Sequence, residues 1–317
     1  MRSVYLRLSV HDGCDLRCLY CRPERDRSLE DPSPELAVGE LVGLVEALDR
    51  VVPVRKLRLT GGEPLLRPDL LEIVGRLHSA VPRAELALTT NGGHLARMAA
   101  PLRAAGLSRV NVSLDTLDPE AYRRLTRGGG LGRVLEGLEV AAAAGFARLK
   151  LNTVLLRSLH AQGGMLPAIV RLAVRLGAEA RFLELMPISV AAGLQRTEFL
   201  SVEESAGTLA AAFEDLGWLP QESGTARRRA YRVDGAERVV GFIPSVSEPF
   251  CGSCDRLRLT CRGQLLPCLR SEDGLELAGP LRAGQADELT RRIRRVLESK
   301  CPPEALWPGR QMSRIGG

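Results

Sequence analysis

Three cysteines, Cys14, Cys18 and Cys21, fall within eight residues, directly after the alternating run Val4-Tyr5-Leu6-Arg7-Leu8-Ser9-Val10. Apolar and polar residues taking turns mark a half-buried strand, so the fold must deliver a strand end straight into a loop of thiols. Thiolates at x3 then x2 spacing can wrap one face of a cubane iron–sulfur cluster, whereas a cube held wholly by protein takes four cysteines. One iron then stays open to a ligand, as in catalytic metal sites that keep an unfilled position. A second reading stands beside it, because His11 precedes Cys14 closely enough to complete a Cys3His set for zinc. Structural zinc sites usually divide their ligands into two separated pairs, however, and here Tyr20 lies inside a single loop.

The remaining chain alternates short apolar runs with helical patterns. Strands are predicted over Val4–Val10, Lys56–Thr60, Glu85–Thr90, Arg109–Leu114, Arg148–Leu155 and Ala180–Leu185. Between them Glu35–Arg50, Pro68–Ser79, His94–Ala105, Gly132–Ala144 and Met165–Leu176 carry apolar residues at helical spacing. This βα rhythm belongs to a parallel sheet, and the fold class is α/β, with an incomplete (βα)6 TIM-like barrel over residues 1–188. Ligands of such folds gather at the carboxyl ends of the strands, so the candidate residues are expected to share one mouth. After Met186-Pro187 the rhythm stops. Ser189–Thr197 reads as a linker, Val202–Leu216 as a helix, Gly224–Arg232 as a basic loop and Arg238–Ile243 as a strand, within a C-terminal cluster-binding extension, 189–317.

Charge inside a half-buried strand costs free energy unless it is paired or faces a site. Arg7 shares its parity with Ser9, Arg58 with Thr60 and Lys150 with Asn152, so each lies on a polar face opposite the leucines. Three such cations together read as a pocket for phosphates. A net charge of +6 would also suit nucleic acid, but the basic residues are dispersed and aromatic residues make up only 4% of the chain, too few to stack bases. The expected partner is an anionic small molecule, with no nucleic acid. No secretion signal and no bilayer-length apolar run is evident, so no membrane association and a cytoplasmic location are expected. In that compartment eight cysteines are metal ligands sooner than disulfides.

A second trio follows in the C-terminal part: Cys251-x2-Cys254, with Cys268 after thirteen further residues. It suits another three-thiolate cluster, a zinc knuckle being the generic alternative. The first trio, at the end of strand one, resembles the signature of the radical S-adenosylmethionine (SAM) enzymes, whose fold is the same partial barrel. More narrowly, the chain resembles the GTP 3′,8-cyclase (MoaA) family of molybdenum cofactor biosynthesis. The motifs that carry this likeness are Arg7-Leu8-Ser9-Val10, Gly61-Gly62-Glu63-Pro64, Thr89-Thr90-Asn91-Gly92, Asn111-Val112-Ser113-Leu114-Asp115, Gly241-Phe242-Ile243-Pro244, Cys254-Asp255-Arg256-Leu257-Arg258-Leu259-Thr260 and the terminal Gly316-Gly317.

The resemblance implies two 4Fe-4S clusters, one on Cys14, Cys18 and Cys21 that binds SAM, and one on Cys251, Cys254 and Cys268 that meets the substrate. It implies that Tyr20, Gly62, Ser113 and Met186 contact SAM, and that Arg7, Arg58, Thr89, Lys150, Arg256 and Arg258 contact GTP. Arg256, Arg258, Gly316 and Gly317 would assist catalysis. The implied reaction is reductive cleavage of SAM to a radical that takes hydrogen from C3′ of GTP. C3′ then attacks C8, giving (8S)-3′,8-cyclo-7,8-dihydroguanosine 5′-triphosphate, the first step of molybdopterin biosynthesis. Implied partners are GTP, an electron donor, the next enzyme of the pathway and, as a candidate assembly, a homodimer.

Two other readings stay open: a paralogous radical SAM enzyme with an auxiliary cluster acting on a peptide or other metabolite, and a non-catalytic zinc protein. Three departures from the family pattern stand out. The lead before strand one is short, which puts oligomer contacts there in doubt, and Leu156–Gly164 lacks an Asn-Asp-rich turn. Cys261 could supply a fourth thiolate and close the second cluster. Alternation groups it instead with Leu257 and Leu259, opposite Arg256 and Arg258, so a buried structural cysteine is expected.

Overall fold

The computed structural model describes residues 3–23, 34–221, 225–271 and 274–300. Six strands, β1 (Val4–His11), β2 (Val54–Gly61), β3 (Glu85–Thr90), β4 (Arg109–Ser113), β5 (Arg148–Leu155) and β6 (Glu179–Glu184), pair in sequence order and all in parallel. The helices between them are α1 (Val38–Val51), α2 (Leu70–Ala80), α3 (Leu95–Ala104), α4 (Pro119–Thr126), α5 (Leu131–Ala143), α6 (Arg157–His160) and α7 (Met165–Arg175). Alternate strand residues such as Leu6, Leu8, Leu57, Leu59 and Leu88 are fully buried in one core with Leu41, Leu44, Ile73 and Leu77 of the helices. That core takes one face of every strand. The polar parity is left for the other face, as expected of a βα barrel.

The C-terminal part lengthens this sheet at both edges. After α8 (Ala191–Glu198) and α9 (Val202–Ala212) come β7 (Glu214–Trp218), β8 (Arg227–Val233) and β9 (Ala236–Ile243). Then follow β10 (Arg256–Leu259), β11 (Gln264–Leu266), β12 (Leu275–Glu276), α10 (Ala278–Arg282) and α11 (Ala286–Glu298). β9 joins β6 in parallel and β10 joins β1 in parallel, giving the order β12-β11-β10-β1-β2-β3-β4-β5-β6-β9-β8-β7 among the described residues. Eight consecutive strands, β10 to β9 in that order, therefore run parallel. At the β6–β9 seam the buried rings of Phe182 and Phe242 lie 5.8 Å apart, and Trp218 meets Phe242 edge-on at 5.4 Å.

Several predicted elements are corrected. Ser189–Thr197 is mostly helix, not linker, and its Ala191 is buried in one small apolar cluster with Tyr20, Leu125, Leu156 and Leu185. The helix predicted over Val202–Leu216 stops at Ala212, and Glu214–Trp218 is a strand. The basic run in Gly224–Arg232 is β8 from Arg227 onward, not a loop. Its charges are matched across the antiparallel β7–β8 ladder, Arg229 Nε to Asp215 Oδ1 at 2.9 Å and Arg232 Nε to Glu214 Oε2 at 2.8 Å. Opposite charges facing each other across strands stabilise pairing, which composition alone does not reveal. The first helix begins at Val38, because Glu35 bonds His11 and Arg67 instead. Helix α4 was not predicted, although Asp118 caps it by accepting the Ala121 N–H at 2.6 Å and Pro119 follows.

The aromatic seam carries the attachment of β9. Phe242→Ala is expected to lower stability by about 3–5 kcal/mol, the usual cost of emptying a buried aromatic site. Thermal denaturation measures it, and an unchanged melting temperature would show that the seam contributes little.

Candidate active site

The loop after β1 is held from four sides. Its Leu19 and Arg17 N–H groups donate to Leu125 O and Thr126 O, at 2.9 and 3.1 Å, satisfying carbonyls at the C-terminus of α4. Asp15 accepts from Asn91 Nδ2 at 2.8 Å and meets His94 Nε2 at 3.1 Å. Tyr20 Oη donates to Asp115 Oδ2 at 2.6 Å, and the second Asp115 oxygen accepts from Val154 N at 2.8 Å. Burial, and then Asp115 itself, push the Tyr20 phenol well above its ordinary range, so the hydroxyl stays a donor.

The fourth anchor is the Gly61-Gly62 pair. Gly61 has φ +145°, and a Cβ on Gly62 would lie 2.0 Å from Gly13 O, so no side chain fits where β2 meets the loop. The Gly62 and Glu63 N–H groups donate to His11 O and Gly13 O, both at 2.7 Å. These amides therefore hold the cluster loop. What Gly62 can offer a ligand is its carbonyl. Glu63 is buried, accepting from Leu65 N, Thr90 Oγ1 and Asn91 N at 2.9, 2.7 and 2.7 Å, and burial pushes its carboxyl up to about 7 against the pull of those donors.

A single cavity of about 740 Å³, within the roughly 300–1,000 Å³ usual for small-molecule sites, runs through the sheet's concave interior. Cys14, Cys18, Cys21, Tyr20, Gly62, Ser113, Met186, Arg7, Arg58, Thr89, Lys150, Cys251, Cys254, Cys268, Arg256 and Arg258 all line it. Gly316 and Gly317 lie outside the described residues. The candidates do not share one mouth. The first trio lies at the carboxyl ends of the strands, but β10 enters parallel to β1 with Arg256 level with Tyr5, so Cys251 and Cys254 sit at the opposite rim.

Neither trio is drawn together tightly enough to share a single ion. Thiols sharing one tetrahedral zinc lie about 3.8 Å apart, given metal–sulfur bonds near 2.3 Å. Among the described residues the one set of three such ligand atoms within 4.8 Å of one another is Asp12, Glu35 and Cys261. His11 Nδ1 is bonded to Glu35 at 2.9 Å, and among the described residues no ligand group of single-ion size joins His11 to the first trio. Cys261 is fully buried beside Asp12 and outside the cavity lining, on the leucine face as its parity predicts. Burial pushes the Cys14 thiol up to about 12 and the Cys18 thiol above its ordinary value, and a bound metal's charge would act in the opposite sense, favouring the thiolates. The second trio is met by nitrogens: Arg270 Nη2 on Cys251 Sγ at 3.1 Å, Arg270 N on Cys268 Sγ at 3.4 Å and Lys300 Nζ on Cys254 Sγ at 3.9 Å.

Between the trios the wall is cationic and climbs in register. One row runs Arg258, Arg7, Arg58, and reaches Arg109 and Arg148 through Ala87. The row above holds Thr89, Asn111, Lys150 and Glu179, and the next Ser113, Asn152, Arg181, Gly241 and Arg228. Lys150 Nζ donates to Glu179 Oε2 at 2.5 Å and Arg58 Nη1 to Thr89 Oγ1 at 2.9 Å. Burial brings Lys150 down to about 8 and Arg7 down to about 10, and with Arg7 and Arg256 it drives Arg258 well below its usual value. Buried like charges of this kind are relieved by an anionic ligand. Asn111 Oδ1 and Asn152 Oδ1, on the same wall, find no hydrogen-bond partner among the described residues, as befits a surface built for a polar ligand. The sequence reading missed Lys56, Arg109, Arg148 and Arg181. Parity marked two of them, Lys56 two residues before Arg58 and Arg148 two before Lys150.

A curved parallel sheet with a thiol trio at its carboxyl rim defines a radical SAM enzyme. The Radical SAM superfamily model matches residues 8–161, and the Molybdenum Cofactor Synthesis C model matches 178–305. In fold the chain is similar to SuiB of Streptococcus suis, solved bound to S-adenosylmethionine, with TM-score 0.63 and 12% identity over 87% of this chain and 64% of that one. The chain belongs to the GTP 3′,8-cyclase family. It is 39% identical to the GTP 3′,8-cyclase of Heliobacterium modesticaldum, covering 99% of this chain and 97% of that protein. The enzyme of Streptomyces coelicolor is also 39% identical, over 98% and 93%, and GTP 3′,8-cyclase 1 of Pseudomonas aeruginosa is 43% identical over 88% and 83%.

Removing the Asp115 carboxylate would leave the Tyr20 hydroxyl a buried donor without its acceptor. Asp115→Ala should cost about 1–3 kcal/mol, with Asp115→Asn recovering part because an amide oxygen still accepts. Thermal melts of the anaerobic protein check this, and equal melting of wild type and the alanine variant would refute the anchoring role.

Proposed function

We propose that this chain converts GTP to (8S)-3′,8-cyclo-7,8-dihydroguanosine 5′-triphosphate. The observation that carries the proposal is the placement of two cysteine trios at opposite rims of one cation-walled cavity. Cys14, Cys18 and Cys21 would hold the cluster that binds SAM, with Tyr20, Gly62, Ser113 and Met186 around the cofactor. Cys251, Cys254 and Cys268 would hold the second cluster. When bound, SAM and its cluster supply one-electron cleavage chemistry and hence a hydrogen-abstracting radical.

The protein's own residues bind and orient. Arg7, Arg58, Thr89 and Lys150 would grip the substrate, whose phosphates suit fixed guanidinium forks, with Arg256 and Arg258 holding it beside the second trio. Enclosure within the sheet limits water at the reacting atoms. Gly316 and Gly317 keep the assisting role that the family resemblance suggests. A domain division at residue 188, a cytoplasmic setting, an external electron donor, transfer to the next pathway enzyme and a homodimer belong to the same proposal. Among the described residues no helix is long and apolar enough to cross a membrane.

Anaerobic incubation with SAM, GTP and a reductant should yield the cyclised triphosphate, and its absence from a fully iron-loaded preparation would defeat the proposal. Iron analysis should find about eight irons per chain, falling by half in Cys14→Ala or Cys268→Ala. Zinc in place of iron, or full iron in either variant, would overturn the cluster assignments. Arg256→Ala and Arg258→Ala should each weaken turnover by about 1.5–3 kcal/mol while the iron content stays.

A further inference from the structure

Tyr5 stands on β1 with Arg256 of β10 on one side and Lys56 of β2 on the other, all three on the cavity wall. None of the roles assigned above uses it. Yet the Lys56 Nζ and the Arg256 and Arg58 guanidinium carbons lie 5.6, 5.6 and 5.7 Å from its ring centroid. Arg58 Nε also donates to the Tyr5 oxygen, while Arg58 Nη1 donates to Thr89 Oγ1 at 2.9 Å, so both ends of that guanidinium are clamped. Lys56 is tethered in turn to Glu85 Oε2 at 3.0 Å, and Lys300 Nζ donates to the Arg256 carbonyl at 2.7 Å.

The residue type matters here. An aliphatic side chain would leave three neighbouring cations with no acceptor between them. A carboxylate would neutralise them and repel an anionic ligand. A phenol gathers cations through its ring face and its oxygen while leaving their net charge in place. Burial alone would raise the Tyr5 phenol, but Arg58, Arg7, Arg256 and Lys56 outweigh it and bring it down to about 8, which shows how closely the cations press upon it.

We propose that Tyr5 is a positioning residue for the phosphate chain of the substrate: it fixes Arg58 and draws Lys56 and Arg256 around one ring, so that cations from two strands meet the same polyanion. The proposal rests on the reading that this cavity binds GTP. Equilibrium dialysis of GTP and of GMP against the anaerobic, fully iron-loaded protein tests it in wild type, Tyr5→Phe and Tyr5→Leu. Tyr5→Phe keeps the ring and should weaken GTP binding by about tenfold, as loss of one charged hydrogen bond does, with GMP much less affected. Tyr5→Leu, which also removes the ring, should weaken GTP further. Equal weakening of both nucleotides, as a merely structural role would produce, or unchanged GTP affinity in Tyr5→Phe, overturns the proposal. Wild type with no affinity for GTP would defeat the underlying reading, and is seen before any variant is compared.

Discussion

Arginine and lysine on the concave face of a parallel sheet are costly, because burial strips their water and places like charges side by side. Here Arg7, Arg58, Lys150 and Arg258 are buried or nearly so on that face, and burial lowers the proton affinity of Arg7, Lys150 and Arg258. The arrangement persists because the opposite face of the same strands buries a mainly apolar set, Leu6, Leu8, Leu57, Leu59, Val110 and Leu151 among them, which carries the sheet's stability in place of its interior. Glu85 and Glu179 offset part of the repulsion, each holding a lysine and an arginine. The remainder stays as positive potential in a cavity, which is what an anionic substrate needs.

The cluster loop depends on a different constraint, that every buried polar group must find a partner. Its amides pair with the end of α4, its Tyr20 with Asp115, and its carbonyls with the amides of Gly62 and Glu63. The partners come from the carboxyl ends of β2 and β4 and from the helix that follows β4. The thiol trio is thereby oriented by protein contacts, so less ordering remains to be supplied when a cluster binds. The second trio is instead surrounded by Arg270 and Lys300, an electrostatic contrast between the two rims.

Much of this was legible in order. The x3, x2 spacing of Cys14, Cys18 and Cys21 and the parity shared by Arg7 with Ser9 are local properties, and periodicity reports them directly. The parity of Cys261 with Leu257 and Leu259 likewise foretold its burial away from the cavity. Misreadings fell where tertiary partners decide. Arg229 and Arg232 read as loop until Asp215 and Glu214 are placed beside them, and Ser189–Thr197 reads as linker until Ala191 is found buried in one cluster with Tyr20.

The sequence by itself determined the strand and helix rhythm, the face on which each charged strand residue falls and the two groups of three thiols, since all of these follow from spacing along the chain. Only the tertiary structure decided that β10 runs beside β1 and β9 beside β6. That pairing sets the second trio at the rim opposite the first and brings Arg256 to the ring of Tyr5. Strand order in a sheet depends on which edges can be covered and which rings pack at the seam, and these contacts join residues too far apart in the chain for any periodicity to record.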